Sequence, residues 1–268
     1  MPSYKEREEA LFVRWKRACG QIDGIDPDTD FACDGVLFRG EYEQVGGCWE
    51  RRSGNETELW NNAPCRLLIL TKDTTRKSEL SDIRIETARK NHAGSDILAA
   101  VTPFHRNLTL WSYALLNALQ GGEIVPYDST PDWEALRELY ATAAIARVNC
   151  KKQIGASTIE DAELGAHIER YASFLAEQVN MYDADIILCC GGGGVIKDFV
   201  KRHYLPDLQQ FSSDAWVYCS PSTHKIVIDS YHPTYAKSFA KMELFYSRMM
   251  SDVSAFILQH PEYLAPRR

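Results

Sequence analysis

Four short stretches carry side chains suited to acid–base or recognition chemistry, and each directly follows an apolar run. They are Thr71-Lys72-Asp73-Thr74-Thr75, Asn149-Cys150-Lys151-Lys152, Gly191-Gly192-Gly193-Gly194 and Tyr231-His232-Pro233-Thr234-Tyr235. The Asp73 carboxylate can take a proton from water or face a developing positive charge, and His232 can donate toward a developing negative one. Asn149 donates and accepts through one planar amide. The glycine turn lets backbone amides approach a phosphate closely. Each also has an ordinary role: Asp73 as a cap, Asn149 as a loop closer through its backbone bonds, and His232 as a histidine before a rigid proline turn. Only their convergence on one edge of a fold raises chemistry above these.

The runs that precede the four stretches supply that edge. Arg66 to Thr71, Ala144 to Asn149, Asp185 to Cys190 and Lys225 to Ser230 are short and apolar, as buried parallel strands are. Helical patterns lie between them, with apolar stripes predicted over Asn107 to Leu119 and Ile159 to Asn180, and a C-terminal helix over Tyr235 to Gln259. Trp216 to Cys219 reads as a further strand, hairpinned through Pro221 to the last one. The alternation predicts an α/β fold, and in an open parallel sheet ligands bind beyond the carboxyl ends of the strands. Ahead of it, an amphipathic helix is expected over Tyr4 to Cys19. An irregular stretch rich in Gly, Asp and Asn follows from Gln21 to Pro64. Residues 1–65 are thus expected as an extension packed on a domain of residues 66–268.

Composition bounds the rest. The 268 residues, 45% of them hydrophobic, suffice for one substantial core. No secretory signal is expected from the charged N-terminus, and the run Ile186 to Ile196, broken by glycines, is too short to span a bilayer, so a cytoplasmic location without membrane association is expected. A net charge of −7 argues against non-specific coating of nucleic acid but leaves room for a local basic groove. The eight cysteines include no CxxC pair. They read as reduced thiols, with neither a metal site nor a cofactor expected.

Taken in order, the four stretches resemble motifs of the uracil-DNA glycosylase superfamily. Thr71 to Thr75 stands where the acidic GQDPY-type motif would, Asn149 where the base-reading Asn falls, and His232-Pro233-Thr234 where the family has HPS. The segment Pro103 to Trp111 is similar to the NxFW-type helix start of mismatch-specific and single-strand-selective members. The resemblance covers residues 66 to the C-terminal helix. It implies a three-layer α/β/α fold with a central, mainly parallel four-stranded sheet, and a DNA glycosylase that flips a pyrimidine and hydrolyses its N-glycosidic bond. In those terms Asp73 and His232 are catalytic, and Asn149, Phe104, Thr74 and Thr75 line the base pocket. Lys72, Lys151, Lys152, Gly191, Gly192, Gly193, Thr234, Tyr235 and Lys237 contact DNA, expected as a duplex with a flipped base.

One departure bears on substrate. The family's Pro-Tyr after the acid is replaced by Thr74-Thr75, which leaves space beside C5 of the base. The expected substrate is therefore a 5-modified cytosine, hydroxymethylated or glucosylated as in phage DNA, in an antiviral role. Uracil excision in base-excision repair is the alternative. A third reading is a non-catalytic DNA- or nucleotide-binding α/β protein using the glycine turn. No GK[ST] ending follows those glycines, however, and a GxGxxG frame from Gly191 ends at Ile196. Cysteine hydrolase chemistry is poorest, because nothing in the sequence activates Cys150 or Cys189. Strand preference and oligomeric state are left open.

Overall fold

The computed structural model describes residues 2–40, 42–46, 48–51, 54–73, 82–84, 103–132, 135–136, 138, 142–155, 158–235 and 238–264. It opens with α1 (Tyr4–Asp23), started by a reciprocal cap between Ser3 and Glu6 and ended by Gly24 at φ 67°. Four strands then carry the centre: β4 (Leu67–Thr71), β5 (Ile145–Asn149), β6 (Ile186–Cys190) and β9 (Lys225–Ser230). They are mutually parallel in the order β5-β4-β6-β9. Among the described residues the full sheet has seven strands rather than four. Antiparallel β1 (Gly35–Val36) extends it beside β5, and β8 (Val217–Ser220) and β7 (Gln209–Gln210) extend it beyond β9. The expected hairpin of residues 216–219 onto the last strand is present as β8 and β9.

Both faces of the parallel strands are covered, which is why they read as continuous apolar runs. Leu68, Leu70, Ala146, Val148, Ile187 and Val227 face one core. It is closed by α1, α4 (Asp161–Arg170), α5 (Ala172–Tyr182) and α6 (Val195–His203). Leu67, Ile69, Ile145, Leu188, Ile226 and Ile228 face the other, under α3 (Pro103–Leu119) and α7 (Phe239–Gln259). Truncating a residue such as Leu68, fully buried in the middle of β4, costs about 2–5 kcal/mol.

Residues 21–64 depart from the irregular stretch expected. They hold β1, a hairpin of β2 (Tyr42–Val45) and β3 (Cys48–Arg51), and α2 (Glu56–Asn62). These elements are too short to impose a period on the sequence. They are also part of the main body: β1 pairs with β5, and Trp60 of α2 is fully buried with its indole donating to Tyr182 O at 3.0 Å. The helix expected over residues 159–180 is interrupted at Tyr171. That residue leaves helical geometry at φ −116°, and its buried hydroxyl donates to Asp23 at 2.5 Å. The last helix begins at Phe239, capped by Ser238, later than expected because Pro233–Tyr235 forms its own 3-10 turn.

Candidate active site

The register of the sheet determines how far apart the four stretches lie. Asn149, Thr71, Cys190 and Ser230 are direct neighbours across β5, β4, β6 and β9, in one row at the carboxyl ends. By strand alternation all four point to the face covered by α3 and α7. Asp73 lies two residues past Thr71 and His232 two past Ser230, the same offset on strands separated only by β6. At roughly 4.8 Å per strand, their backbones leave the sheet about 10 Å apart. The positive charge of Lys72 acts on both groups, favouring the Asp73 carboxylate and disfavouring protonated His232.

Asn149 is fully buried at the end of β5. Its backbone N–H donates to Asp34 Oδ2 at 2.8 Å, and its side-chain Oδ1 accepts from the Thr71 hydroxyl. Thr71 thereby fixes the amide plane and leaves the buried Nδ2 with no hydrogen-bond partner. A buried donor without a partner costs about 1–3 kcal/mol, a cost that an acceptor brought to Nδ2 would recover. Because a carbonyl has two lone pairs, Oδ1 can still accept a second bond beside that donor.

His232 follows β9 on a loop anchored by α3, where buried Asn107 donates through Nδ2 to Pro233 O at 2.6 Å. Burial, then the charges of Lys72 and Arg147, push the imidazole down to about 4, so it is neutral at pH 7. Thr234 offers its N–H to Nδ1 at 3.4 Å, and its hydroxyl lies 2.8 Å from the same nitrogen. A neutral ring accepting at Nδ1 carries its proton on Nε2, ready to donate. Phe104 packs against the ring with centroids 5.6 Å apart, and the Arg147 guanidinium lies 4.6 Å from the Phe104 centroid. Sequence reading missed Arg147. Its signal was a charge within an apolar strand, two residues before Asn149 on the same face.

Asp73 is only 9% exposed, with Lys151 Nζ 3.8 Å from Oδ2. Burial raises its pKa, Lys151 and Lys72 oppose that, and Glu163 adds to it. Oδ2 makes no hydrogen bond, and Gly155 backs so closely onto it that a Cβ there would lie 2.7 Å away. A confined carboxylate with raised proton affinity suits a group that deprotonates water.

Among the described residues, the lysines expected to contact DNA do not form one surface. Lys152 is fully buried, its Nζ 2.5 Å from Asp34 Oδ1, and cannot reach a phosphate. It is a structural cation: Asp34 also receives Gln178 Nε2 at 2.9 Å, and through its Oδ2 it holds Asn149. Lys151 is 13% exposed and belongs to Asp73, while Lys72 is paired with Asp161 at 2.6 Å. Two-residue alternation within a loop hid this, since Lys151 and Lys152 look equivalent in sequence. Gly191 to Gly193 form the turn into α6. Gly193, at φ 79°, has no room for a Cβ, which would lie 2.4 Å from Asp161. Thr234 and Tyr235 are exposed at the mouth. Thr74, Thr75 and Lys237 lie outside the described residues.

Cys150 and Cys65 are free thiols that burial pushes up to about 12, far from nucleophilic use near neutrality. Among the described residues, no group of three His, Cys, Asp or Glu side chains is placed to hold a metal ion, and no helix is long and apolar enough to cross a membrane. No family model matches the chain, and neither does any curated protein compared with it.

Proposed function

We propose that this chain is a DNA glycosylase that hydrolyses the N-glycosidic bond of a flipped pyrimidine nucleotide. The observation carrying this reading is that Asp73 and neutral His232 leave the sheet at equal offsets from one row, with the unpartnered Asn149 amide in that row. A parallel four-stranded core between two helical layers is also the arrangement that the resemblance to uracil-DNA glycosylases implies.

In the proposed reaction the C1′–N1 bond breaks first, leaving positive charge on the sugar and negative charge on the base. Asp73 faces the sugar, takes a proton from water, and the resulting hydroxide oxygen bonds to C1′. Nε2–H of His232 and Nδ2–H of Asn149 donate to the departing base anion, which takes a proton from solvent on release. A neutral histidine suits this step because it donates without requiring a charged group in a site lined by Lys72 and Arg147. Phe104 supplies the stacking face. The donor–acceptor pair of Asn149 matches N3 and the 4-amino group of cytosine in one register, and O4 and N3–H of uracil in another. Thr74 and Thr75, in place of a bulky aromatic, favour the 5-substituted cytosine, hydroxymethylated or glucosylated as in phage DNA.

The test is incubation with DNA containing uracil, hydroxymethylcytosine or glucosylated hydroxymethylcytosine, followed by alkaline cleavage at abasic sites. Abasic sites on the modified cytosines support the full reading, and on uracil alone the glycosylase without the 5-substituent. DNA binding with no abasic sites on any of the three would replace the enzyme with a binding protein.

A further inference from the structure

Beside the proposed reactive pocket lies a second cavity of about 380 Å³, between the glycine turn and the edge strands β7 and β8. Its lining includes Ser230 and Tyr231, the two residues that precede His232, so the cavity adjoins the loop that carries His232. Three aromatic rings give it flat walls: Trp216, Tyr218 and Tyr231. Trp216 meets Tyr231 edge-on with centroids 5.4 Å apart, and Tyr231 is stacked on exposed Tyr235 at 5.2 Å and 14°. The rings thus hold one another in place, with Trp216 and Tyr231 as two steeply angled walls.

Among the polar side chains that line it are two carboxylates and one lysine. Asp229 lines the cavity, and its carboxylate has no hydrogen bond to any described residue. Burial pushes it up to about 6 against the pull of Lys197, as expected for a carboxylate lacking donors. Asp214 adds a second carboxylate. Lys197 is already engaged, 3.1 Å from Asp198 and over the Tyr218 ring at 5.1 Å. Two carboxylates disfavour a bare phosphate. Flat walls with an acceptor suit a planar ring that carries N–H donors.

Position identifies where such a ring comes from. Asn149 at β5 and His232 at β9 bracket the proposed target base, and this cavity lies past His232, on the side away from Asn149. With the base held between Asn149 and His232 and its sugar at Asp73 on the strand between them, a neighbouring nucleotide on the β9 side lies over the cavity. We infer that the cavity is a subsite for an unpaired neighbouring nucleotide of the same strand, its base stacking on Trp216, packing against Tyr231 and donating to Asp229. Guanine fits best, because its N1–H and 2-amino group present two adjacent donors to one carboxylate. This rests on the glycosylase reading and adds to it a preference for single-stranded or locally melted DNA.

The experiment uses fluorescent single-stranded thymine 11-mers with one central deoxyuridine, flanked on either side by guanine, hypoxanthine, thymine or an abasic residue, and the matching duplexes. Binding by anisotropy and excision are measured on the same set. A guanine neighbour is expected to tighten binding roughly tenfold over an abasic one, with hypoxanthine between and no such preference in duplex. Asp229→Asn should reduce the guanine preference about fivefold while leaving the stacking gain over an abasic neighbour. Tyr231→Leu, on the exposed wall, should weaken every flanking base alike. Flank-independent binding by the folded wild-type protein overturns the inference, even where excision occurs and the glycosylase reading stands. Flank-dependent binding without excision of any tested base keeps the subsite and removes the enzyme.

Discussion

Replacing Lys152 with methionine keeps the length of a side chain that is fully buried and removes only its charge. The Asp34 carboxylate, itself 0% exposed, would then keep two donors, the Asn149 N–H at 2.8 Å and Gln178 Nε2 at 2.9 Å, and lose its counter-ion. An ionised carboxylate left in that state costs about 3–5 kcal/mol. For a chain of 268 residues this corresponds to a fall in Tm of roughly 6–20 °C, at about 2–4 °C per kcal/mol. Adding Asp34→Asn removes the stranded charge, so the double variant should recover most of the loss, within about 1–2 kcal/mol of wild type. Urea midpoints and thermal melts at pH 7 measure all three proteins. A single variant that loses less than about 1 kcal/mol, or a double variant no better than the single, would refute the claim that the pair is a buried ion pair held for its charge balance.

Three further outcomes follow from the site. Asp73→Asn should lower excision by at least about a hundredfold while DNA affinity changes less than about threefold; turnover near wild type would remove the carboxylate from the mechanism. Because His232 is held neutral down to about pH 4, excision should show no loss attributable to an imidazole between pH 8 and 5. An inflection between pH 6 and 7 that disappears in His232→Gln would contradict the neutral donor. His167 is also buried and pushed down to about 4, first by burial and then by Lys151. Its unfolded value is near 6.5, so between pH 6.5 and 4 the unfolded chain binds the extra proton and stability falls as pH falls. From pH 7.5 to 5 this amounts to about 2 kcal/mol, and His167→Gln should retain that amount in melts at pH 5.

The chain itself determined the strands and their polarity. Arg66 to Thr71, Ala144 to Asn149, Asp185 to Cys190 and Lys225 to Ser230 are legible because a strand buried on both faces must be apolar throughout, and their carboxyl ends carry Asp73, Asn149, the glycine turn and His232. Register and burial were decided only in three dimensions. Sequence spacing does not tell that Asn149, Thr71, Cys190 and Ser230 share a row, since that depends on pairing between segments as many as 119 positions apart. Nor does it distinguish Lys151, beside Asp73, from Lys152, sealed against Asp34, because adjacent loop residues of one type differ only in which neighbour closes over them. Arg147 and Asp229 escaped notice for the same reason. Their charges lie in apolar strands, and only packing shows that one lies over Phe104 and the other lines a cavity.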